Sequence, residues 1–490
     1  MDNQMIPNLI IKRATLTPNR VAIRFERQNY TYKELYELAY RKAGYLQKLG
    51  VEKGDYVACL LKSHLDTIVI LVSLQLIGGV AVLLNNRLTA DELMWQLNDS
   101  KADLLITERE FVEKISVVAS QLDKLTIVWK ETIDAIPFEE PAILEEIELQ
   151  AVCTVMYTSG TTGNPKGVLQ TYGNHWWSAT GSALNLGIQE EDSWLCAVPL
   201  FHISGYSILM RSLIYGMKLV LHDSFQPDEV IKAIKDEKVT IMSVVTTMMT
   251  RLLDALGEEK LPTTFRCMLL GGGPAPLSVL EQCVERNIPI YQTYGMTETS
   301  SQIVTLAPEY SIEKLGSAGK PLFPSQLKII AADGSEVGAY QSGEIIVKGP
   351  NVTRGYLHRE HEHEKYFLDG WFKTGDIGYL DKDGFLFVQD RRSDLIISGG
   401  ENIYPAEIEG VITSHPQIED AGVIGIADPK WGQVPVAFVL TKADLTEEEV
   451  KEYCKGKVAN YKLPKKIYFV EQIPRNASRK LLRRALREML

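Results

Sequence analysis

The stretch YTSGTTGNPKG (157–167) places four small hydroxyl side chains, three glycines and one lysine directly after the apolar run AVCTVMY (151–157). That mixture has the chemistry of a phosphate clamp. Gly160 and Gly163 let backbone N–H groups approach an anion closely. Thr158, Ser159, Thr161 and Thr162 add hydroxyl donors, and Lys166 adds positive charge. The order of residue types is not that of a Walker loop: no G-x-x-x-x-G-K-[ST] occurs, nor G-x-G-x-x-G, nor G-x-S-x-G. For a generic Ser/Gly composition, a solvated loop would be the competing reading.

A clamp needs a rigid frame. Strand-like and helix-like segments alternate over most of the 490 residues, which predicts layered α/β architecture with parallel sheets. Segment 266–298 reads as strand (RCMLL), turn (GGGPAP), helix (LSVLEQCVERN), strand (IPIYQ) and loop (TYGMTE). Such a unit sets two glycine-bearing loops side by side at the carboxyl ends of parallel strands, where open α/β sheets bind ligands. TYKELYELAYRKAGYLQK (31–48) predicts a helix after a Thr cap. TIVILVSLQLIGGVAVLL (67–84) nears membrane-span length, but Ser73, Gln75 and Gly78-Gly79 favour a buried helix, a turn and a strand. From about 316 to 390 short strands and turns predict a β-barrel-like section, and after DRRSD (390–394) a further α+β unit of about a hundred residues begins.

Composition narrows the function. The formal net charge of −11 argues against general nucleic-acid or anionic-membrane binding. Six cysteines without C-x-x-C spacing read as buried thiols in a reducing, cytoplasmic setting. The segment MDNQMIPN carries no signal-peptide pattern. The composition predicts no integral membrane segment and leaves a monomer or a homo-oligomer open.

Five motifs in order resemble the adenylate-forming superfamily of acyl-CoA synthetases, luciferases and adenylation domains. They are YTSGTTGNPKG, YGMTE (294–298), TGD (374–376), DRRSDLIISGGENIYPAEIE (390–409) and PRNASRKLLR (474–483). The resemblance runs nearly end to end. It implies a large N-terminal domain (1–392) that binds ATP and the acid, and a small mobile C-terminal domain (393–490) hinged at Ser393. It also implies ATP, Mg²⁺ and coenzyme A as ligands, and an AMP-forming acid–thiol ligase as the activity. Joining a carboxylate to an α-phosphate brings two anions together, so the site must neutralise charge. By resemblance, the clamp with Lys166 holds the β- and γ-phosphates, Thr297 donates to the α-phosphate and Glu298 supplies a hard oxygen ligand for Mg²⁺. Tyr294, Gly295, Met296 and Gly271, Gly272 and Gly273 take adenine and the acyl-adenylate. Asp376 takes ribose, with a turn or cap residue as the plain alternative, and Arg391 adds a second ribose or phosphate contact. Lys480 is the lysine of the adenylation step. Gly399 and Gly400 line a pantetheine tunnel, and Trp431 either stacks on the CoA adenine or is a core residue. Arg479, where the family usually has Gly, and Ser393, where it often has Asp or Lys, depart from the pattern.

The acid is addressed by HISGYSILMR (202–211), VVTTMMT (244–250) and YGMTETSSQ (294–302). A lipid pocket would be apolar throughout; this one keeps Thr247, Ser300, Ser301, Gln302 and Arg211, which suits an aromatic acid carrying a second polar or anionic group. Arg211 could equally be a solvated helix residue. His202 borders the acyl pocket by resemblance, with a satisfied core histidine as the alternative. AVLLNNRLTADELMWQL (81–97) and TYGMTETSSQIVTL (293–306) resemble one particular acid–thiol ligase of the superfamily that acts on such an acid. Another aryl or medium-chain ligase is the alternative. Amino-acid adenylation fits less well, because His202, not Asp, follows Phe201. A catalytically dead nucleotide-binding protein is disfavoured by the intact Lys166, Glu298, Asp376 and Lys480. HREHEHEK (358–365) lacks H-E-x-x-H spacing and is not read as a metal site.

Overall fold

The protein's structure, a computed structural model, describes residues 4–159, 165–272, 277–390, 395–475 and 481–490. Gly160, Thr161, Thr162, Gly163, Gly273, Arg391, Ser393, Arg479 and Lys480 lie outside the described residues.

Local signals set the first layer. The helix Tyr32–Lys48 opens on a capping box between Thr31 and Glu34, and Ala90–Ser100 opens on one between Thr89 and Glu92. The apolar stretch 67–84 becomes the buried helix Leu65–Ile77, a left-handed Gly78 cap at φ +77° and the strand Val80–Leu83. No helix among the described residues is long and apolar enough to cross a membrane.

Two sheets carry the N-terminal part. A six-stranded sheet runs in the order Pro165–Thr171, Val152–Ser159, Val80–Leu83, Tyr56–Leu60, Leu104–Thr107, Thr126–Trp129, all parallel but the first. The strand Val152–Ser159 is therefore followed by a strand that returns antiparallel beside it. Lys166 pairs with Thr158 across this hairpin, so the lysine stands on a strand and not in the loop. A nine-stranded sheet has Ser193–Cys196, Ile241–Val245, Cys267–Gly271 and Ile290–Met296 as parallel central strands. The last runs further than the sequence predicts: Tyr294, Gly295 and Met296 stay in the ladder because they pair antiparallel with Ser301–Leu306.

The section predicted as barrel-like is an open five-stranded antiparallel sheet, a half-barrel: it reaches from Gln326–Ile330 through Gly343–Lys348 to Trp371–Leu380, and its edges do not pair with each other. From Ile396 the chain forms a second five-stranded sheet, centred on the long hairpin Ile418–Asp428 and Gly432–Thr441. Its two apolar clusters contain only residues from 396 onward, so this part has its own core.

Candidate active site

A cavity of about 230 Å³ opens at the carboxyl ends of the central strands of the nine-stranded sheet. Val244, Val245, Gly271, Gly272 and Thr293–Thr297 form its N-terminal wall, and Leu395, Gly400, Asn402 and Tyr404 close it from the C-terminal domain.

The hairpin between Met296 and Ser301 builds the centre. Thr297–Thr299 form a single 3-10 turn, and Ser300 (φ +52°) and Ser301 (φ +97°) both sit in left-handed backbone, unusual for residues with a β-carbon. This reversal brings Ser301 opposite Met296 and Gln302 opposite Gly295. A β-carbon on Gly295 would stand 2.1 Å from the Ser301 carbonyl, so only glycine allows that approach. The tip is held from three sides: Gln170 donates to the Thr297 carbonyl (2.8 Å), Asn351 to that of Thr299 (3.1 Å) and the Thr353 N–H to that of Glu298 (2.7 Å). Thr297 and Glu298 thus face the cavity on a fixed backbone.

Glu298 is buried, and one carboxylate oxygen accepts from the Tyr356 hydroxyl at 2.8 Å. A single carboxylate so placed fits Mg²⁺, which binds through one or two carboxylates together with phosphate oxygens and retained waters. Lys166 lies beside it, its ammonium 5.5 Å from the Tyr356 ring centre and 4.5 Å from that of Tyr366. Asp376, on the strand Trp371–Leu380, also reaches the cavity and accepts from the Tyr294 hydroxyl at 2.7 Å. Tyr294 is 1% exposed, its ring packed in the half-barrel core; its polar end orients Asp376, a role that the adenine reading of this residue did not include.

His202 is not a core histidine. It precedes the helix Ile203–Tyr215, borders the cavity and sets Nε2 3.2 Å from Glu401 of the C-terminal domain. Glu401 also accepts from Arg87 (2.6 Å) and Asn85 (3.1 Å). Burial opposes its charge, but His202, Arg87 and Asn85 outweigh that and hold the carboxyl down to about 2. Next to it, Gly399 and Gly400 take φ of +57° and +87°. Gly400 backs onto Val245, and a β-carbon on Gly399 would stand 2.8 Å from the Trp431 ring. Trp431 is 43% exposed, which excludes the core reading.

Arg211 is not solvated: it is 1% exposed in the middle of its helix. Its guanidinium lies 4.9 Å from the centre of the Trp194 ring and donates to three neutral oxygens, Ser207 Oγ (3.3 Å), Ser301 Oγ (3.4 Å) and Gln302 Oε1 (3.5 Å). No carboxylate pairs with it among the described residues, Nε has no partner, and burial lowers its affinity for a proton. Ser301 and Gln302, which separate it from the cavity, are both in the cavity wall. Two residues expected in the acyl pocket are not there. Thr247 lies in the first turn of the helix Thr246–Leu256 and faces Gly432 of the C-terminal domain, because the strand before it ends at Val245. Ser300 occupies the reversal itself, so its side chain turns into the protein; its N–H donates to the Thr297 carbonyl at 3.1 Å and its own carbonyl accepts from Ser178 at 2.6 Å.

Tyr356, Gln170, Asn351, Asn85, Arg87 and Glu401 were not singled out by sequence. Glu401, Asn85 and Arg87 lie inside stretches quoted above, but their types gave no sign that they meet. The histidines of HREHEHEK serve elsewhere; His363 stacks on Phe367.

The AMP-binding enzyme model matches residues 11–357 and the AMP-binding enzyme C-terminal domain model matches 407–480. The chain belongs to the family of AMP-binding enzymes, and the adenylate-forming resemblance holds over its length. A 2-succinylbenzoate--CoA ligase of Geobacillus sp. (strain WCH70) is 53% identical over 99% of this chain and 98% of the relative. A double mutant of the o-succinylbenzoate CoA synthetase of Bacillus subtilis, bound with its product analogue OSB-NCoA, is 48% identical, covers 99% of this chain and 98% of that one, and superposes with a TM-score of 0.94. The same synthetase in complex with the acyl-adenylate intermediate OSB-AMP, at equal identity and coverage, superposes at 0.78. The chain therefore superposes more closely on the product-analogue complex than on the acyl-adenylate complex.

Proposed function

We propose that this chain is a 2-succinylbenzoate–CoA ligase acting in menaquinone biosynthesis. In the first step a carboxylate oxygen of the acid attacks the α-phosphorus of ATP and the bond to pyrophosphate breaks, leaving an acyl-adenylate. In the second the CoA thiolate attacks the acyl carbon and AMP departs. Lys166 and the hydroxyls of the 158–163 loop stabilise the β- and γ-phosphates. Thr297 bonds the α-phosphate, and Asp376, oriented by Tyr294, accepts from the ribose. Mg²⁺ at Glu298 supplies charge neutralisation when bound. His202 borders the acyl end. Gly399 and Gly400 leave room for the pantetheine arm, and Trp431 offers an exposed face to the CoA adenine. The described cysteines are all buried and unpaired, which suits the cytoplasm, where ATP and CoA are at hand.

One observation carries the choice of acid: a fully buried Arg211 whose described partners are all neutral. A buried charge without a counter-ion is costly, and a ligand carboxylate reaching Ser301 and Gln302 would supply one directly or through water. 2-Succinylbenzoate has two carboxylates on one aromatic frame, one to be activated and one to be matched. The test is kcat/KM for 2-succinylbenzoate against benzoate, 4-phenylbutyrate and octanoate. Loss of the matched carboxylate is expected to cost on the order of 10²-fold or more, because the polar groups of the site are left stranded. Equal use of 4-phenylbutyrate or octanoate would leave only a general acyl-CoA ligase.

Gly400→Leu tests the second station. Its positive φ strains any residue with a side chain, and a β-carbon there would stand 3.3 Å from Val245. Thioester formation from supplied acyl-adenylate is expected to fall at least about tenfold while pyrophosphate release in the first step is spared. Loss of the first step alone would remove this glycine from the thiol path.

A further inference from the structure

We propose that Lys462 is a positioning residue for the thioester-forming half-reaction, clamping the C-terminal domain onto Glu92 of the N-terminal domain. This rests on the two-step reading above. Lys462 ends the 3-10 turn Asn460–Lys462, and its ammonium lies 2.5 Å from Glu92 and 2.7 Å from Glu407. The three side chains are only 4%, 9% and 11% exposed, so water does not screen the cluster.

Each partner is fixed from its own side. Glu92 belongs to the helix Ala90–Ser100, and its second oxygen accepts from the backbone N–H and hydroxyl of Thr89 in the capping box. Glu407 stands in the first turn of Pro405–Thr413, directly after the segment that carries Gly400, Asn402 and Tyr404 into the cavity wall. Its remaining oxygen is buried with no described partner, and burial together with the charge of Glu92 raises its carboxyl against the pull of Lys462. A second tie lies a few residues upstream, where Glu401 meets Asn85 and Arg87. Both ties land on the same N-terminal stretch, 85–92, so the cavity-wall segment is pinned at its two ends.

Lys462 and Glu407 share one domain while Glu92 sits on the other, so the Glu92 contact depends on how the two domains are docked. Buried ion pairs add little net stability, because desolvation offsets attraction, and their best-attested use is to set register. The clamp is therefore expected to act on one half-reaction and not on folding.

Glu92→Gln removes the charge and keeps the capping box, since Gln serves that position equally. It is expected to lower thioester formation from supplied 2-succinylbenzoyl-adenylate and CoA about tenfold, and to leave pyrophosphate release without CoA within about twofold. Lys462→Met should show the same split, and the double variant should be no slower than Lys462→Met alone. Equal loss of both half-reactions, no loss in either, or additive losses would overturn the clamp. An unmodified chain that forms neither product from 2-succinylbenzoate would instead overturn the ligase reading, whereas a missing split in an active chain counts against the clamp alone.

Discussion

Lys480→Ala is expected to slow acyl-adenylate formation by on the order of 10²–10³-fold or more, while thioester formation from supplied acyl-adenylate continues. The first step draws two anions together, and a cation aimed at the developing charge is worth several kcal/mol in a water-poor site. The residues flanking this lysine show why the second step should not need it. Arg475 is tied to Asp420 at 2.7 Å, and Leu481 packs with Ile424 and Phe438 in the C-terminal domain's own core. The C-terminal residues that wall the cavity come from a different stretch, Leu395–Tyr404. On the proposed mechanism one domain carries two stations, and alternation between them is what the Lys480 variant tests. The measurement is pyrophosphate release without CoA beside thioester formation from synthetic acyl-adenylate. Equal loss in both would count against alternating domains.

Arg211→Met is the second large effect. Turnover of 2-succinylbenzoate, as kcat/KM, is expected to fall on the order of 10²–10³-fold, and the preference over 4-phenylbutyrate to disappear with it. Stability should move the other way. Replacing a buried charge that lacks a counter-ion by an apolar side chain of similar length is expected to leave Tm unchanged or raise it, by the equivalent of about 1–4 kcal/mol at most. That opposition separates a ligand-matching arginine from a structural one. A fall in Tm with equal losses for both acids would assign Arg211 to folding, with Trp194 and Ser207 as its reason for being there.

Much of the frame around the site was legible before any contact was known. The clamp is proposed from residue type at short spacing alone, because close backbone approach needs glycine and anion binding needs small donors. The helix start at Thr31, and the buried helix and turn in 67–84, follow from caps and glycines acting within one or two turns. The parallel unit 266–298 could be read for the same reason, since strand, helix and strand succeed one another locally. The end of its second strand could not, because Tyr294–Met296 remain extended only through pairing with Ser301–Leu306. Whether Arg211 faced solvent or core was undecidable from its helix, where Ser207 and Ser212 flank it on a mixed face; the Trp194 ring and the Ser301–Gln302 strand bury it. Thr247 and Ser300 were misplaced for the converse reason: a polar residue near a motif shares its sequence neighbourhood but not its direction. The meetings of Glu401 with Arg87, 314 residues apart, and of Lys462 with Glu92, 370 apart, belong to the tertiary structure alone. A charged side chain carries no record of its partner, and only the docking of one domain on the other brings these charges out of water and within reach.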